Sequence, residues 1–486
     1  MISIKAKKHD NFSVEFKFGF DCKMDGVKDD FSVNAWMFVP NSLDINPEVY
    51  GKKQFYRDIK SNVRLITPSF LLRDIAQDSA LPLTSLRNAM EIYVRTPSDD
   101  ALSSYEYHLK MFAAIFKSAL RDQAAHLRNT VSLVSSVHLV DDYIENSVQV
   151  LFKFRKLFAI IDVPSIPERA RNYFRLCDEF ITHTVEVQTI RIIRKIDSSS
   201  TSSEDTSIRR RFADLVMQQR DYKRLMGYGI LRGEVNYDRR LVHHRGMLKK
   251  YIESDLYINL DKKKDGVAVE QLLYSIAAGV AMIFATGVAW FTQVRYGNIT
   301  WPLFIVLVIS YMMKDRIKEL MRYYFAHRLG DKYFDNKADI SIGDKKVGVL
   351  KEGFDFISGS KVPEDVMKFR DRASSIEDET RIFEEKILLY RKHLTINDTE
   401  LRRIAEYPMR GINEIMRLHL TRFTQKMDNP QVPVDTFDAE GNVVTVHVQK
   451  SYYINIVFQL QHDSRTEYHH FRITLTRNGV LHIVEL

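Results

Sequence analysis

The sequence predicts an α+β membrane-anchored protein: a mostly helical cytoplasmic region with N- and C-terminal antiparallel β segments and a central two-helix transmembrane hairpin. Three observations predict it. Residues 272–291 (LLYSIAAGVAMIFATGVAWF) are twenty positions without a charge. As a helix rising ~1.5 Å per residue, such a run matches the ~30 Å core of a bilayer. Residues 299–313 (ITWPLFIVLVISYMM) are again uncharged. Their ~22 Å is short for a span, but the helical pattern continues beyond Met313. Both ends of the chain alternate apolar and polar residues with a period of two, as half-buried strands do. The bland alternative for the hairpin is a buried pair of helices in a soluble core. Twenty uncharged residues exceed what most core helices need.

The elements follow in order. Residues 1–60 form an N-terminal β segment: Val14, Phe16 and Phe18 alternate with Ser13, Glu15 and Lys17, and residues 31–39 (FSVNAWMFV) give another strand. Asp25-Gly26 lies in the turn between them. Residues 61–266 read as a helical cytoplasmic domain, with Tyr107, Met111, Ala114, Ile115 and Ala119 at helical spacing. Pro164 and Pro167 open a new helix, as proline does in a first turn. The tract 197–207 (DSSSTSSEDTS) holds no apolar residue and reads as a flexible, exposed loop. Helix resumes at Ile208, capped by Ser207. The hairpin occupies 267–313. Residues 314–330 continue its second helix, with Ile317, Leu320, Met321, Tyr324 and Phe325 as an apolar stripe and Gly330 as terminator. Residues 331–433 read as mixed, mostly helical, with short strands near Gly343, Gly348 and Gly353. The segment 434–486 reads as a four-stranded antiparallel meander over 443–448, 452–461, 468–476 and 480–485. Asn478-Gly479 marks its last hairpin. A chain that begins and ends in strands can pair them in one sheet.

The hairpin also suggests an orientation. Lys249, Lys250, Lys262, Lys263 and Lys264 precede it, and Lys314, Arg316, Lys318 and Arg322 follow, whereas its loop holds only Arg295. The positive-inside rule then places both termini in the cytoplasm and the loop outside. Trp290 and Trp301 cluster at the loop end as interface anchors. The triplet Asn298-Ile299-Thr300 is a glycosylation sequon, placed too near the bilayer surface to carry weight. In the first span Ala277, Ala281, Ala285 and Ala289 recur every fourth residue, so they share one helix face, and small side chains let a second helix approach closely. That face packs either on the second span or on another subunit. Neither span contains an ionisable residue, so nothing marks an ion path.

Motifs exclude more than they identify. The chain has no phosphate-binding GxxxxGK[ST], no HExxH, no paired CxxC and no GxSxG. Gly227, Gly229 and Gly233 are spaced one residue too widely for a dinucleotide fingerprint. His243-His244 and His469-His470 are adjacent pairs, whose side chains point apart and chelate poorly. No catalytic residue, metal or cofactor is assigned. Cys22 and Cys177 are the only cysteines, which fits a reducing compartment and not a disulfide framework. The N-terminal stretch lacks the apolar region of a cleavable signal.

The most concentrated feature is basic. Residues 207–250 carry twelve Lys and Arg against four acids, an excess equal to the whole chain's net charge of +8. Arg209, Arg210, Arg211, Arg239, Arg240, Lys249 and Lys250 are its core. Lying ahead of the hairpin, they are the candidate surface for anionic lipid headgroups or another anionic partner. A solvated helix face with local ion pairs is the plainer reading. Nucleic acid is disfavoured, because no aromatic platform or reader motif accompanies the charge. The expected function is a two-span membrane-anchored sensor, scaffold or effector. It acts by binding a cytoplasmic protein or small ligand and by homo-oligomeric assembly at the inner membrane face. The alternatives are an oligomeric pore-forming or membrane-perturbing effector, and a membrane-tethered enzyme without a recognisable motif. The balance leans away from an enzyme.

Overall fold

The computed structural model describes residues 1–23, 28–130, 136–199, 203–228, 237–258, 260–297, 301–330, 334–342, 345–371 and 385–486. The Asp25-Gly26 turn, the 298–300 sequon, Gly229, Gly233, Gly343 and the middle of the 197–207 tract lie outside those residues. The chain divides into two compact units. The first comprises residues 1–64, 258–406 and 410–486, and the second residues 65–257 with 407–409.

The first unit is built on two antiparallel sheets. Its N-terminal strands are β1 (Ile2–Lys8), β2 (Ser13–Asp21) and β3 (Asp29–Pro40), followed by helix α1 (Lys52–Asp58) and β4 (Ile59–Leu65). The second unit intervenes in sequence with α2 (Leu72–Ile75), α3 (Leu81–Arg95), α4 (Asp99–Asn129), α5 (Val137–Lys156), α6 (Phe158–Ile161), α7 (Glu168–Ser199), α8 (Ser203–Leu225) and α9 (Tyr237–Glu253). The chain returns through β5 (Tyr257–Ile258) and β6 (Leu260–Lys264). Two long helices follow, α10 (Val267–Tyr296) and α11 (Trp301–Gly330). Then come β7 (Asn336–Ile342), β8 (Lys345–Ile357), α12 (Glu364–Asp371), β9 (Glu385–Ile396) and β10 (Gly411–His419). The last strands are β11 (Gln431–Phe437), β12 (Val443–Gln449), β13 (Tyr452–His462), β14 (Arg465–Thr476) and β15 (Gly479–Glu485).

One sheet orders its strands β1-β2-β10-β4-β5 and the other β15-β14-β13-β3-β9-β8-β7-β6. Their inner faces meet through a cluster of rings. Phe16 on β2 lies 5.0 Å from Phe458 on β13, and Phe20 lies 5.4 Å from Phe31 on β3. Such sheet-on-sheet packing buries the alternate residues of both layers. Helix α12 covers the other face of the larger sheet, seating Val366, with Val362 just ahead of the helix, on Trp36, Phe38 and Val457. Strand β10 can run tightly against β2 because Gly411 adopts φ 152°, where a Cβ would collide with the Phe20 carbonyl oxygen.

The second unit is helical. Ser98 caps α4, its side chain accepting from the Ala101 amide at 3.1 Å, and Asp99 and Asp100 sit in the first turn where the helix dipole favours them. α7 packs on α4 and α8. It buries Cys177, Ile181, Val185 and Ile192, and Asp178 and Thr182 as well. Each of these two polar groups is bonded: Asp178 accepts from Arg155 at 3.1 Å, Tyr222 at 2.7 Å and Tyr228 at 2.9 Å.

Three expectations require correction. A two-helix transmembrane hairpin is not what the structure contains. Among the described residues, only the helix at Val267–Arg295 is long and apolar enough to cross a membrane. α11 is as long as α10, but its uncharged part in the helix stops at Met313, and Lys314, Asp315, Arg316, Lys318, Glu319 and Arg322 follow. Continuing the helix lengthened the rod and not the apolar span. The fold, moreover, is a mixed α/β one with two large sheets. The region 331–433, read as mostly helical, contains β9 and β10, and both are interior strands. Finally, the C-terminal meander does not have four consecutive strands. β12 pairs with β11 in a separate two-stranded hairpin, whereas β13 pairs with β3. Pro433 hid β11 from a reading of strand pattern.

Candidate functional site: an exposed apolar helix

α10 is the most unusual surface of the first unit. Only 11% of its most apolar window is buried. Leu272, Ile276, Met282, Ile283, Trp290 and Phe291 all face outward. Globular proteins rarely leave contiguous apolar surface of this extent to water. α11 packs on α10, and the Arg322 guanidinium stands 4.7 Å from the centre of the Tyr274 ring. The end of α11 therefore meets the beginning of α10, and the two run antiparallel. At this base Tyr274 donates to Glu270 at 2.7 Å, and Lys264 donates to the same carboxylate at 2.6 Å. The flanking strands close the arrangement. β6, which leads into α10, pairs with β7, which follows α11, with Lys264 opposite Asn336.

The predicted site residues fall in different places. Of the alanines, Ala277 and Ala281 are buried, and Ala285 and Ala289 are half-buried. Since α11 packs on α10, this face is taken within the chain. Gly279 and Gly287 lie on an open face, where an added Cβ would meet nothing. Trp290 and Trp301 are 73% and 79% exposed at the loop end of the two helices.

The basic residues belong to the second unit and divide into two sets. Arg209 pairs with Asp197 at 2.6 Å, and Arg211 pairs with Asp141. Arg220 and Lys223 clasp the Glu186 carboxylate at 2.9 and 2.7 Å. Burial would raise Glu186, but His183 and these two cations hold it well below the usual carboxylate range. Arg240 also has an interaction partner. Arg210, Arg239, Lys249 and Lys250 are exposed and form no ion pair among the described residues. Of the seven candidate residues, three are thus engaged with partners, and four present charge to solvent.

Two constellations were invisible in the sequence. Between the sheets, Lys392 on β9 pairs with Glu414 on β10 and stands 3.5 Å from Glu352 on β8. Lys262 reaches Glu352 at 2.7 Å and Tyr390 donates to it at 2.9 Å, while Ser61 donates to Glu414. Burial alone would raise the Glu352 carboxyl, yet the two lysines and the tyrosine hold it below its usual range. Every charge here has a partner, so the cluster joins two sheets and offers no free acid or base. The second constellation borders a cleft of about 450 Å³ lined by His462, Lys23, Asp463 and Arg465. His462 Nε2 lies 3.1 Å from Asp29 Oδ1, the ring stacks on Phe31, and Nδ1 lies 3.1 Å from the Met1 amino nitrogen. Nearby Cys22 is pushed up to about 12 by burial and by Asp29 and Asp398, which disfavours its thiolate at neutral pH. Among the described residues no three His, Cys, Asp or Glu side chains converge as a metal site would require.

The chain matches no protein-family model, and comparison with curated proteins and with solved structures gives no significant match.

Proposed function

We propose that this protein is a membrane-associated sensor, scaffold or effector that acts by binding and assembly at the inner face of a membrane. The observation that carries this reading is the outward-facing apolar surface of α10, whose uncharged run of ~30 Å matches one bilayer core. Because β6 and β7 pair, the chain leaves and rejoins the sheet at one point. The lysines of β6 and the charged half of α11 favour the cytoplasmic face of that membrane. Anionic headgroups are the proposed ligands of Arg210, Arg239, Lys249 and Lys250 in the second unit. A second copy of the chain is the proposed assembly partner.

Fractionation tests the membrane reading. The protein is expected to sediment with membranes through high salt and alkaline carbonate, and to enter solution only with detergent. An embedded helix binds far more firmly than a surface-adsorbed one. Recovery as a soluble, folded species after the carbonate wash would overturn the reading.

A further inference from the structure

The β11–β12 hairpin stands apart from both large sheets as its own two-stranded ribbon. Every residue of both strands is exposed. A lone hairpin is marginal in water, and this one has a strongly divided surface. Its register places Val432 opposite Val448, Val434 opposite Val446, and Thr436 opposite Val444. Because side chains alternate along a strand, these six share one face, which holds five valines and no charge. The reverse face carries Gln431 with Gln449, Pro433 with His447, and Asp435 with Thr445, with Phe437 and Val443 at the far end. Thr445 donates to Asp435 at 2.8 Å across that face. The base is fixed, since Lys450 pairs with Asp428, Tyr452 donates to Asp428 at 2.8 Å, and Arg477 donates to Asn429 at 3.3 Å.

We infer that this hairpin is an assembly arm, whose valine face stacks on the same face of a second copy of the chain about a two-fold axis. The inference deepens the assembly part of the proposed function and rests on it. Charge selects the occupant and the direction. The tip of the arm carries Asp438 and Glu440, whereas the base carries Arg477 beside the Lys450–Asp428 pair and is net positive. Antiparallel stacking sets the acidic tip of each arm over the basic base of the other. Parallel stacking would set acids on acids. An acidic tip also disfavours insertion into an anionic bilayer. Pro433 has no N–H to offer, which blunts β11 as an edge for strand addition. Face packing uses the valine face itself, with the sheets ~10 Å apart as in other stacked sheets. The valine face is small beside the ~800 Å² that each partner of a stable complex buries. Such an arm becomes effective when tethering raises the local concentration of copies.

The test uses the full chain in mild detergent and in bilayer vesicles. In the two-fold arrangement, Val446 of one copy approaches Val446 of the other. Val446→Cys is expected to form an oxidised dimer, and Thr445→Cys, on the reverse face, to stay at the wild-type background set by Cys22 and Cys177. Raised salt and Glu440→Lys are each expected to reduce the Val446→Cys dimer several-fold, and Arg477→Glu combined with Glu440→Lys to restore it. Equal cross-linking at 445 and 446, or none at either, overturns the arm. If cross-linking is absent while the protein still resists carbonate extraction, the arm fails and membrane association stands.

Discussion

Lys392 and Glu414 come from different sheets and meet at the centre of the first unit, with only 1% and 2% of their side-chain surfaces exposed. Each is held from a second side, Lys392 by Glu352 and Glu414 by Ser61. Two carboxylates thus share one buried ammonium, with Lys262 balancing the second charge. A pair of this kind contributes little net stability over an apolar replacement, but it penalises any state in which one partner is missing.

Removing the ammonium alone should therefore be costly. Lys392→Met is expected to destabilise the first unit by roughly 3–5 kcal/mol, because two buried carboxylates lose their shared cation. Adding Glu414→Gln to it should recover a large part of that loss. Chemical denaturation of the single and double variants measures both, and additivity of the two changes would show that the residues are not coupled.

His470 gives the first unit a defined acid sensitivity. Burial, with Arg370 and Arg472 nearby, lowers its imidazole from 6.5 to about 4. The folded state therefore keeps this ring neutral while the unfolded chain takes up a proton. The stability it supports is complete above pH 6.5 and falls as pH drops toward 4. His470→Gln, which keeps a polar contact for Asn455 (3.1 Å from His470 Nε2), should flatten the stability profile across that window. An unchanged slope between wild type and variant would assign the acid response to other groups.

The buried ion pair also explains which strands could be read in the sequence. The alternation of Val14, Phe16 and Phe18 exposes β2 because the sandwich takes rings from that face. In β9 and β10, Lys392 and Glu414 occupy inward positions between Tyr390, Leu394 and Met416, all buried. Charges at core positions blur a period of two, so these interior strands resembled amphipathic helix. The lengths of α10 and α11 were legible because uncharged runs and a continuing stripe are local signals. The joining of Glu352, Lys392 and Glu414 was not, since it depends on strands far apart in sequence. The basic stretch was legible as composition, whereas its division into paired and unpaired residues depends on where Asp141, Glu186 and Asp197 lie.

The alanine face of α10 makes a specific demand on α11. Ala281 is 1% exposed, and the two helices pack together. Ala281→Leu must push the helices apart or displace a neighbour, an overpacking that costs roughly 1–3 kcal/mol. Ala285→Leu, at a half-buried position, should do less. Both variants should keep the wild-type oligomeric mass, because this face is occupied within the chain. A reduced mass for Ala281→Leu in light scattering would show instead that the alanines meet another subunit.

Division of the basic stretch yields the sharpest separation of binding from stability. Arg210, Lys249 and Lys250 are exposed, with no ion pair among the described residues, so replacing all three by Glu should change unfolding by less than about 1 kcal/mol. Arg211 holds Asp141 with both side chains partly exposed, and its loss should cost about 1 kcal/mol at most. Binding should rank the variants differently. Anionic headgroups are attracted by charge that is not already neutralised, so the triple variant should lose most of its affinity for short-chain phosphatidylserine, and Arg211→Ala only a small part. The neutral choline analogue should bind no variant appreciably. Screening over ~8 Å at physiological ionic strength means that wild-type binding must weaken as salt rises, and the triple variant must show a shallower salt dependence. Titration of the detergent-solubilised chain with each lipid, followed by intrinsic fluorescence, measures these differences. Equal affinity of wild type and triple variant for phosphatidylserine would show the exposed cations to be a solvated face only.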